Sequence, residues 1–332
     1  MGDSIRTRTE LTPQNQPALG TRVVYEIPRT ADMECLNILF SGSLQLTTGA
    51  TSLITDGVMN LITAVELLAN AGRDVIATIP FAHLCQTNMF RRKYSFSYPI
   101  ISQPGVGIAV NAFSIAACLD MAAFAAARPK DSNLRENNYE SLQLAFRFAP
   151  DVTGVYTGGG FVNTTNVLNL AVMVRECVEL PDPQTGVYSS PVVRPLITSN
   201  DVIVPGAANK VQFKLTPGQG LRGIALKVTT NASPPVFNAA LLSRVRVNVG
   251  KIVRVDVSGA ALIAQNAVDG LGVQTGYLFI DFADRYCSDD MLNDVLDLDP
   301  LKTNGADSII EFDTSAACII SVVQYGYIPL AA

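Results

Sequence analysis

An internal repeat constrains the fold of this chain more than any other feature of its sequence. The pattern Asn-x-Gly followed by a basic residue occurs at 70–73 and again at 248–251, an offset of 178 residues, each time between an apolar run and a β-rich one. The same offset brings 84–88 onto 262–266, with leucine matching leucine and asparagine matching asparagine. Short Asn-x-Gly turns also recur by chance in β-proteins, but two matches in one register indicate that one structural unit is used twice.

The ends of the two halves show where they differ in length. Each half closes on an apolar residue followed by proline, at 180–181 and at 328–329, where the offset is only 148 residues. The fall from 178 to 148 predicts one insertion of about 30 residues in the first half, which we assign to a predicted helical segment from 112 to about 140. Five prolines between 181 and 205 favour an extended connector over a sheet strand. The predicted domains are an arm at 1–20, a first barrel at 21–181, a connector at 182–206 and a second barrel at 207–332.

Short β-rich runs dominate both halves. Valines alternate with charged or polar residues at 244–249 and 253–257, which predicts a sheet with one wet face. Two helices are predicted: one at 112–127, capped by Asn111 and followed by a proline, and one at 288–297 with acidic residues in its first turn. Some eight short strands and one helical excursion in each half suit a jelly roll better than an immunoglobulin sandwich.

The composition indicates a chain that hides much of its surface. Only 16% of the residues are charged and the mean hydropathy is +0.26, whereas roughly 25% of the residues of an ordinary soluble domain are charged. Extensive contact between subunits explains such a surface, because a monomer that exposed it would tend to aggregate. The 29 acidic residues outnumber the 24 basic ones, so the chain lacks the basic excess that direct nucleic-acid packing requires.

With these features the sequence resembles the double jelly-roll major capsid proteins of tailless icosahedral viruses, the lineage of membrane-containing bacteriophages and adenovirus. The resemblance extends from about residue 22 to residue 329 and is architectural, since the family has no short diagnostic motif. It implies an all-β fold of two tandem eight-stranded jelly-roll barrels with helices in the F–G loops. It also implies a homotrimer whose six barrels form a pseudo-hexagonal tile of the virion shell. The implied partners are neighbouring capsomers, penton and minor capsid proteins, and an internal lipid membrane.

The sequence predicts no catalytic, cofactor-binding or metal site. Arg6 and Arg8, in the predicted arm, are candidates for contact with a membrane or a neighbouring subunit, although a frayed terminus is the simpler interpretation. Seven aspartates from Asp281 to Asp299 form an acidic cluster that could hold a cation, but a wet helix face explains them as well.

Several other patterns have ordinary explanations. His83 is the only histidine and is interpreted as a core or capping residue. The glycines at 158–160 and the basic and aromatic residues at 91–98 are interpreted as turns, and the glycosylation-like triplets at 163–165 and 231–233 likewise. The six cysteines lie mostly in apolar runs without CxxC spacing, and the start of the chain lacks an apolar leader segment. We therefore expect buried free thiols and assembly in the host cytoplasm.

Two other function classes compete with a shell protein. A viral attachment or carbohydrate-binding jelly roll is the main alternative, but the chain has no tryptophan and 7% aromatic residues, a poor supply for stacking on sugars. A cupin-type enzyme needs a metal bound mostly by histidines, which one histidine cannot provide.

Overall fold

A computed structural model describes most of the chain. The described residues are 4–12, 14–15, 17–48, 52–54, 56–92, 109–121, 132–151, 154–157, 160–161, 167–179, 193–233, 235–268, 276–282, 296–298 and 307–329. The chain divides into two compact units, with the main division between residues 190 and 191. Each unit contains two four-stranded antiparallel sets of strands.

The described part of the first unit contains eight principal strands and one helix. The strands are β1 Ser4–Glu10, β2 Arg22–Glu26, β3 Asp32–Thr48, β4 Ile62–Ala69, β5 Asp74–Ile79, β6 Ala109–Asp120, β7 Leu142–Phe148 and β8 Val167–Glu179. Helix α1, Phe81–Arg92, lies between β5 and β6. One sheet has the order β1–β8–β3–β6 and the other β2–β7–β4–β5, all antiparallel.

The second unit repeats this plan. Its strands are β9 Val193–Val204, β10 Ala208–Lys214, β11 Gly220–Thr230, β12 Leu242–Val249, β13 Ile252–Ser258, β14 Tyr277–Asp281, β15 Ile309–Thr314 and β16 Cys318–Pro329. Helix α2, Gly259–Val268, lies between β13 and β14. The sheets have the orders β9–β16–β11–β14 and β10–β15–β12–β13.

These orders are those of a jelly roll. With the eight strands of each unit named B to I, both units have one B–I–D–G sheet and one C–H–E–F sheet. The helix of each unit lies in the F–G connection, because α1 follows strand F of the first barrel and α2 follows strand F of the second. The predicted fold class is therefore confirmed.

Shorter elements complete the structure. Two-residue strands form at Gln14–Asn15, Ser52–Leu53, Leu134–Arg135, Tyr156–Thr157, Gly160–Phe161 and Leu296–Asp297. Turns of 3₁₀ helix form at Gly57–Leu61, Asn70–Gly72, Glu136–Asn138 and Ala239–Leu241. Neither helix in the described part of the chain is long and apolar enough to cross a membrane.

Side chains at alternate positions of the strands point inward and form the core of each barrel. In β3 the side chains of Leu36, Ile38 and Phe40 are buried, and the Phe40 ring lies 5.0 Å from Phe113 of β6 and 5.9 Å from Phe81 of α1. In β12 Val245 and Val247 are fully buried between more exposed neighbours, as the sequence pattern predicts. Each such side chain contributes roughly 1.5–3 kcal/mol through its burial.

The helix predicted at 112–127 is wrong over its described part, because Ala109–Asp120 is strand β6. This strand pairs with β3 from Cys35↔Asp120 to Leu46↔Ala109. Phe113, Ile115 and Ala117 alternate into the core, so tertiary packing overrides the helix propensity of the alanines. Residues 122–127 lie outside the described residues, as does most of the helix predicted at 288–297, whose last two residues form the strand Leu296–Asp297.

The predicted boundaries also change. Residues 4–10 of the predicted arm form strand B of the first barrel and pair with β8 from Ser4↔Glu179 to Glu10↔Met173. Backbone pairing needs no apolar side chains, which is why this polar segment is a strand. Within the predicted connector, Val193–Val204 is strand B of the second barrel and pairs with β16 over its whole length, Pro195 opposite Tyr327 included.

The predicted single insertion is wrong, because the length difference between the barrels is spread over several connections and over strand G, which has 12 residues in the first barrel and 5 in the second. The F–G connection after the helix runs over 93–108 in the first barrel and over 269–276 in the second, and the H–I connection over 149–166 and 315–317. The G–H connection changes in the opposite sense, from 121–141 in the first barrel to 282–308 in the second. The net drop in offset therefore hides length changes in three connections.

Candidate functional site

Each F–G helix holds strand G through one asparagine. In the first barrel Asn88 Nδ2 donates to the carbonyl of Cys118 at 2.8 Å, and Asn88 Oδ1 accepts from the Cys118 N–H at 2.6 Å. In the second barrel Asn266 makes the same pair of hydrogen bonds to Phe279, at 2.9 and 2.7 Å. Both asparagines are buried. The carboxamide thus replaces a neighbouring strand beside β6 and β14 and satisfies backbone groups that would otherwise be costly to bury.

This pair confirms the sequence match between 84–88 and 262–266. Leu84 and Leu262, four residues before each asparagine, are both 2% exposed. The two helices begin differently: the Leu84 N–H donates to the Pro80 carbonyl at 3.0 Å, whereas Ser258 Oγ accepts from the Ala261 N–H at 3.1 Å as an N-cap. The offset of 178 therefore relates structurally equivalent residues from strand F through the helix.

The Asn-x-Gly motifs both lie at the E–F turn but are not equivalent residue by residue. In the first barrel Ala69 pairs with Asp74, so the turn is 70–73. In the second barrel Val249 pairs with Ile252, so the turn is 250–251 and Asn248 is still in strand β12. The turn of the first barrel is thus two residues longer. Equivalent residues of the two E strands are therefore related by a different sequence offset from equivalent residues of the two F strands.

Arg6 is part of the first barrel and not of a free arm. Its Nε lies 2.9 Å from Glu34 Oε1, and Arg175 Nε lies 2.6 Å from Glu34 Oε2. The hydrogen bond to the buried Glu34 carboxylate, with the charge of that group, raises the pKa of Arg6. Arg8 is exposed on the same strand. The sequence thus groups two arginines that have different roles.

A buried pair of carboxyl groups escapes sequence analysis. Glu136, in a 3₁₀ turn, and Glu176, in β8, are 0% and 1% exposed. Burial raises the pKa of Glu136 to about 9, and the neighbouring Glu176 charge acts in the same direction. Glu176 Oε1 accepts a hydrogen bond from Thr30 Oγ1 at 2.5 Å. Forty residues separate the two glutamates, so no local pattern could have indicated that they meet.

Equivalent positions of strand F expose an apolar side chain in both barrels. Val75 in β5 is 46% exposed and Val253 in β13 is 56% exposed, and they are 178 residues apart. Further exposed apolar side chains on strands are Ile5, Leu39, Val178, Ile203 and Ile252. Single exposed apolar residues are common on protein surfaces, so it is the equivalence of Val75 and Val253 in the two barrels that distinguishes this pair.

The remaining sequence candidates are placed as follows. His83 is 1% exposed within α1, which agrees with its interpretation as a core residue. The five described cysteines are buried, and none of these five is in a disulfide; Cys287 lies outside the described residues. Of the acidic cluster, only Asp281 and Asp297 are described, so neither the cation site nor the wet helix face is tested. The triplet at 163–165, the glycines at 158–160 and the residues at 91–98 also lie outside the described side chains.

Comparisons with known proteins agree with this topology. Residues 199–319 match the family model of the viral coat protein P2 N-terminal domain. A chain in the atomic structure of Sulfolobus turreted icosahedral virus is 17% identical, with a TM-score of 0.71 covering 99% of this chain and 91% of that one. The major capsid protein P2 of bacteriophage PM2 is 12% identical, with a TM-score of 0.63 covering 98% of both chains.

A chain of the PBCV-1 virus capsid is 13% identical, with a TM-score of 0.60 covering 98% of this chain and 94% of that one. A comparison with curated proteins finds no match. At these identities the likeness establishes the fold, and the predicted resemblance to double jelly-roll major capsid proteins is confirmed at that level.

Proposed function

We propose that this chain is a major capsid protein that forms pseudo-hexagonal homotrimers and tiles an icosahedral virion shell. The observation that carries the proposal is that both barrels share one strand order, one helix position and one asparagine clamp. Three copies of such a chain contain six barrels of one plan. A threefold complex of this kind has nearly sixfold edges, which suit hexagonal packing.

The surface supports this assembly. Val75 and Val253 occupy equivalent positions of the two barrels and both expose apolar atoms, so the two barrels can present similar contacts to their neighbours. The low charged fraction of 16% fits barrel flanks that are covered in the shell. The proteins with this fold in the comparisons include chains of viral capsids and a major capsid protein.

The proposal includes location and partners. The chain acts in the virion after assembly in the host cytoplasm, where buried free thiols are stable, and it works without catalysis. Neighbouring capsomers, penton and minor capsid proteins and an internal lipid membrane are its proposed partners. Arg8, which is exposed on β1, is the better candidate for a membrane or neighbour contact, since Arg6 is engaged with Glu34.

The oligomeric state of the purified chain tests the proposal. Light scattering should give about 106 kDa (three times 35.4 kDa), and electron microscopy should show trimers or hexagonal sheets. Val75→Glu combined with Val253→Glu should reduce sheet formation, whereas Asn231→Glu, in an exposed bend, should not. A stable monodisperse monomer would contradict the proposal, and a monomer that bound glycans would support the attachment alternative.

A further inference from the structure

Two thiols and a carboxylate converge on the first barrel outside the features described so far. The Sγ atoms of Cys35 and Cys118 and a carboxylate oxygen of Asp120 all lie within 4.8 Å of one another. The register of strands β3 and β6 explains this, because Cys35 is directly opposite Asp120, and Cys118 is two residues before Asp120. Residues at i and i+2 of a strand share a face, and a residue on the opposite strand lies close to both.

We infer that Cys35, Cys118 and Asp120 form a binding site for a thiophilic divalent cation, with Zn²⁺ as the natural occupant. Thiolate and carboxylate are established zinc ligands, and softer thiolates select zinc over magnesium or calcium. Cys118 Sγ already lies 3.2 Å from Asp120 Oδ1. A tetrahedral ion with Zn–S bonds of about 2.3 Å needs its ligand atoms about 3.5–4 Å apart, so small side-chain rotations complete the site.

The surroundings hold the ligands in place. The Asn37 amide nitrogen lies 3.9 Å from Cys35 Sγ, where it stabilises a thiolate. The asparagine clamp of α1 fixes the backbone N–H and carbonyl of Cys118 itself. Cys35 and Cys118 are 1% and 3% exposed, while Asp120 is partly exposed, which gives the ion a route from solvent.

The second barrel provides an internal comparison. By register, Gly223 is opposite Asp281 as Cys35 is opposite Asp120, and Asn266 clamps Phe279 as Asn88 clamps Cys118. The carboxylate is therefore present in both barrels, whereas the two thiols are present only in the first. One ion per chain follows, bound to the first barrel alone.

Binding involves no redox change. Each cysteine thiol loses its proton when its sulfur coordinates the ion, so up to two protons are released per Zn²⁺ bound. The cation offsets two of the three negative charges of the two thiolates and the Asp120 carboxylate, and it bridges strands D and G of one sheet. The site therefore adds a cross-strand link at Cys118, the residue whose backbone Asn88 of α1 also holds.

Metal analysis of the full-length chain tests the inference. Protein produced with zinc and gel-filtered should retain one zinc per chain by elemental mass spectrometry. The metal-free protein should bind Co²⁺ with a thiolate-to-cobalt charge-transfer band and tetrahedral d–d bands in the visible spectrum. Cys35→Ser, Cys118→Ser and Asp120→Asn should each weaken metal binding by at least about tenfold. In the first two the charge-transfer band should also fall.

Two matched controls separate the site from general effects. Cys85→Ser removes a buried thiol whose pKa burial raises well above its usual value, and it should leave the stoichiometry unchanged. Asp281→Asn removes the equivalent carboxylate of the second barrel and should also have no effect. Circular dichroism and light scattering verify that each variant folds and assembles, and the wild-type cobalt spectrum stands independently of the variants.

Three results would overturn the inference. The first is a wild-type chain that retains no zinc and gives no thiolate-to-cobalt band. The second is metal binding that survives Cys35→Ser and Cys118→Ser together. The third is a Cys35–Cys118 disulfide in freshly purified protein that persists under mild reduction.

Discussion

The two barrels have the same strand order but the opposite charge at one position of the C–H–E–F sheet. Glu66 of β4 is opposite Thr78 in the same register as Arg246 of β12 is opposite Asp256, so Glu66 and Arg246 are equivalent. Glu66 lies between two arginines, Arg22 at 3.2 Å and Arg147 at 2.8 Å. Arg246 lies among three acidic residues, Asp256, Glu311 and Asp313, at 3.5, 3.7 and 3.0 Å.

This reversal shows which parts of the plan are constrained. A largely buried charge on strand E requires partners of the opposite sign on the neighbouring strands, and the charge itself can be of either sign. The clamp asparagine, in contrast, is retained in both barrels, because its carboxamide both donates to the carbonyl and accepts from the N–H of one strand residue. The sign of a charge on strand E can therefore change if its partners change with it, whereas the clamp asparagine has no such substitute.

The start of the helix distinguishes the barrels most strongly. Phe81 begins α1 and packs on Phe40, whereas the equivalent Gly259 begins α2 so close to the Leu242 carbonyl that a Cβ would overlap that oxygen. Phe81→Ala should lower the free energy of unfolding by about 3–5 kcal/mol through the cavity it leaves. Gly259→Ala should cost about 1–3 kcal/mol or more through overpacking.

Denaturant unfolding of the two variants measures both losses. Gly206→Ala is the control, because a Cβ at that turn position would meet nothing within 4 Å. If Phe81→Ala were as stable as the wild type, the aromatic core would not depend on the helix that enters it.

The clamp should have the same effect in each barrel. Asn88→Ala and Asn266→Ala each leave a buried N–H and carbonyl of strand G without their partner, at about 1–3 kcal/mol for each such group. Asn→Asp retains the acceptor but loses the donor to the carbonyl, so it should be intermediate. Hydrogen exchange at the amides of Cys118 and Phe279 localises the change. If Asn88→Ala and Asn266→Ala lowered the free energy of unfolding by clearly different amounts, the two asparagines would not have the equivalent role that the repeat predicts.

Much of this clamp could be predicted from the sequence, and the reason is local. Between strand F and the end of the helix neither barrel has an insertion, so Leu84 and Asn88 stay in register with Leu262 and Asn266. Strand β6 could not be recognised, because its alanines favour helix and its apolar outward face hides the alternation. The metal cluster joins residues far apart in the sequence, which only the pairing of β3 with β6 brings together.

The buried carboxyl pair should make the first barrel less stable as the pH rises. The pKa of Glu136 is raised to about 9, so the folded chain keeps a proton that the unfolded chain loses near pH 4.5. Stability should therefore fall as the pH rises between about 4.5 and 9, by at most about 1.4 kcal/mol per pH unit, and level off above.

Glu136→Gln should flatten this slope and stabilise the protein near pH 8, because a neutral amide replaces the buried acid. The matched control is Glu311→Gln in the second barrel, whose carboxylate faces Arg246 and Gln212 and whose loss should destabilise the protein. Melting temperatures measured from pH 5 to pH 9 test both. A slope unchanged in Glu136→Gln would show that the proton belongs to another group.

The charge reversal on strand E should give the smallest effects, because most of its partners reach solvent. Arg246→Gln leaves three acidic residues without a common cation, and Glu66→Gln leaves Arg22 and Arg147, which are 44% and 59% exposed, to be hydrated. We expect about 1–2 kcal/mol for the first and less than about 1 kcal/mol for the second. Added salt should reduce both losses. The acidic residues around Arg246 are more buried than the arginines around Glu66. If the two variants lost equal free energy of unfolding, the geometry of the ion pairs and not their solvent exposure would determine how much they stabilise the protein.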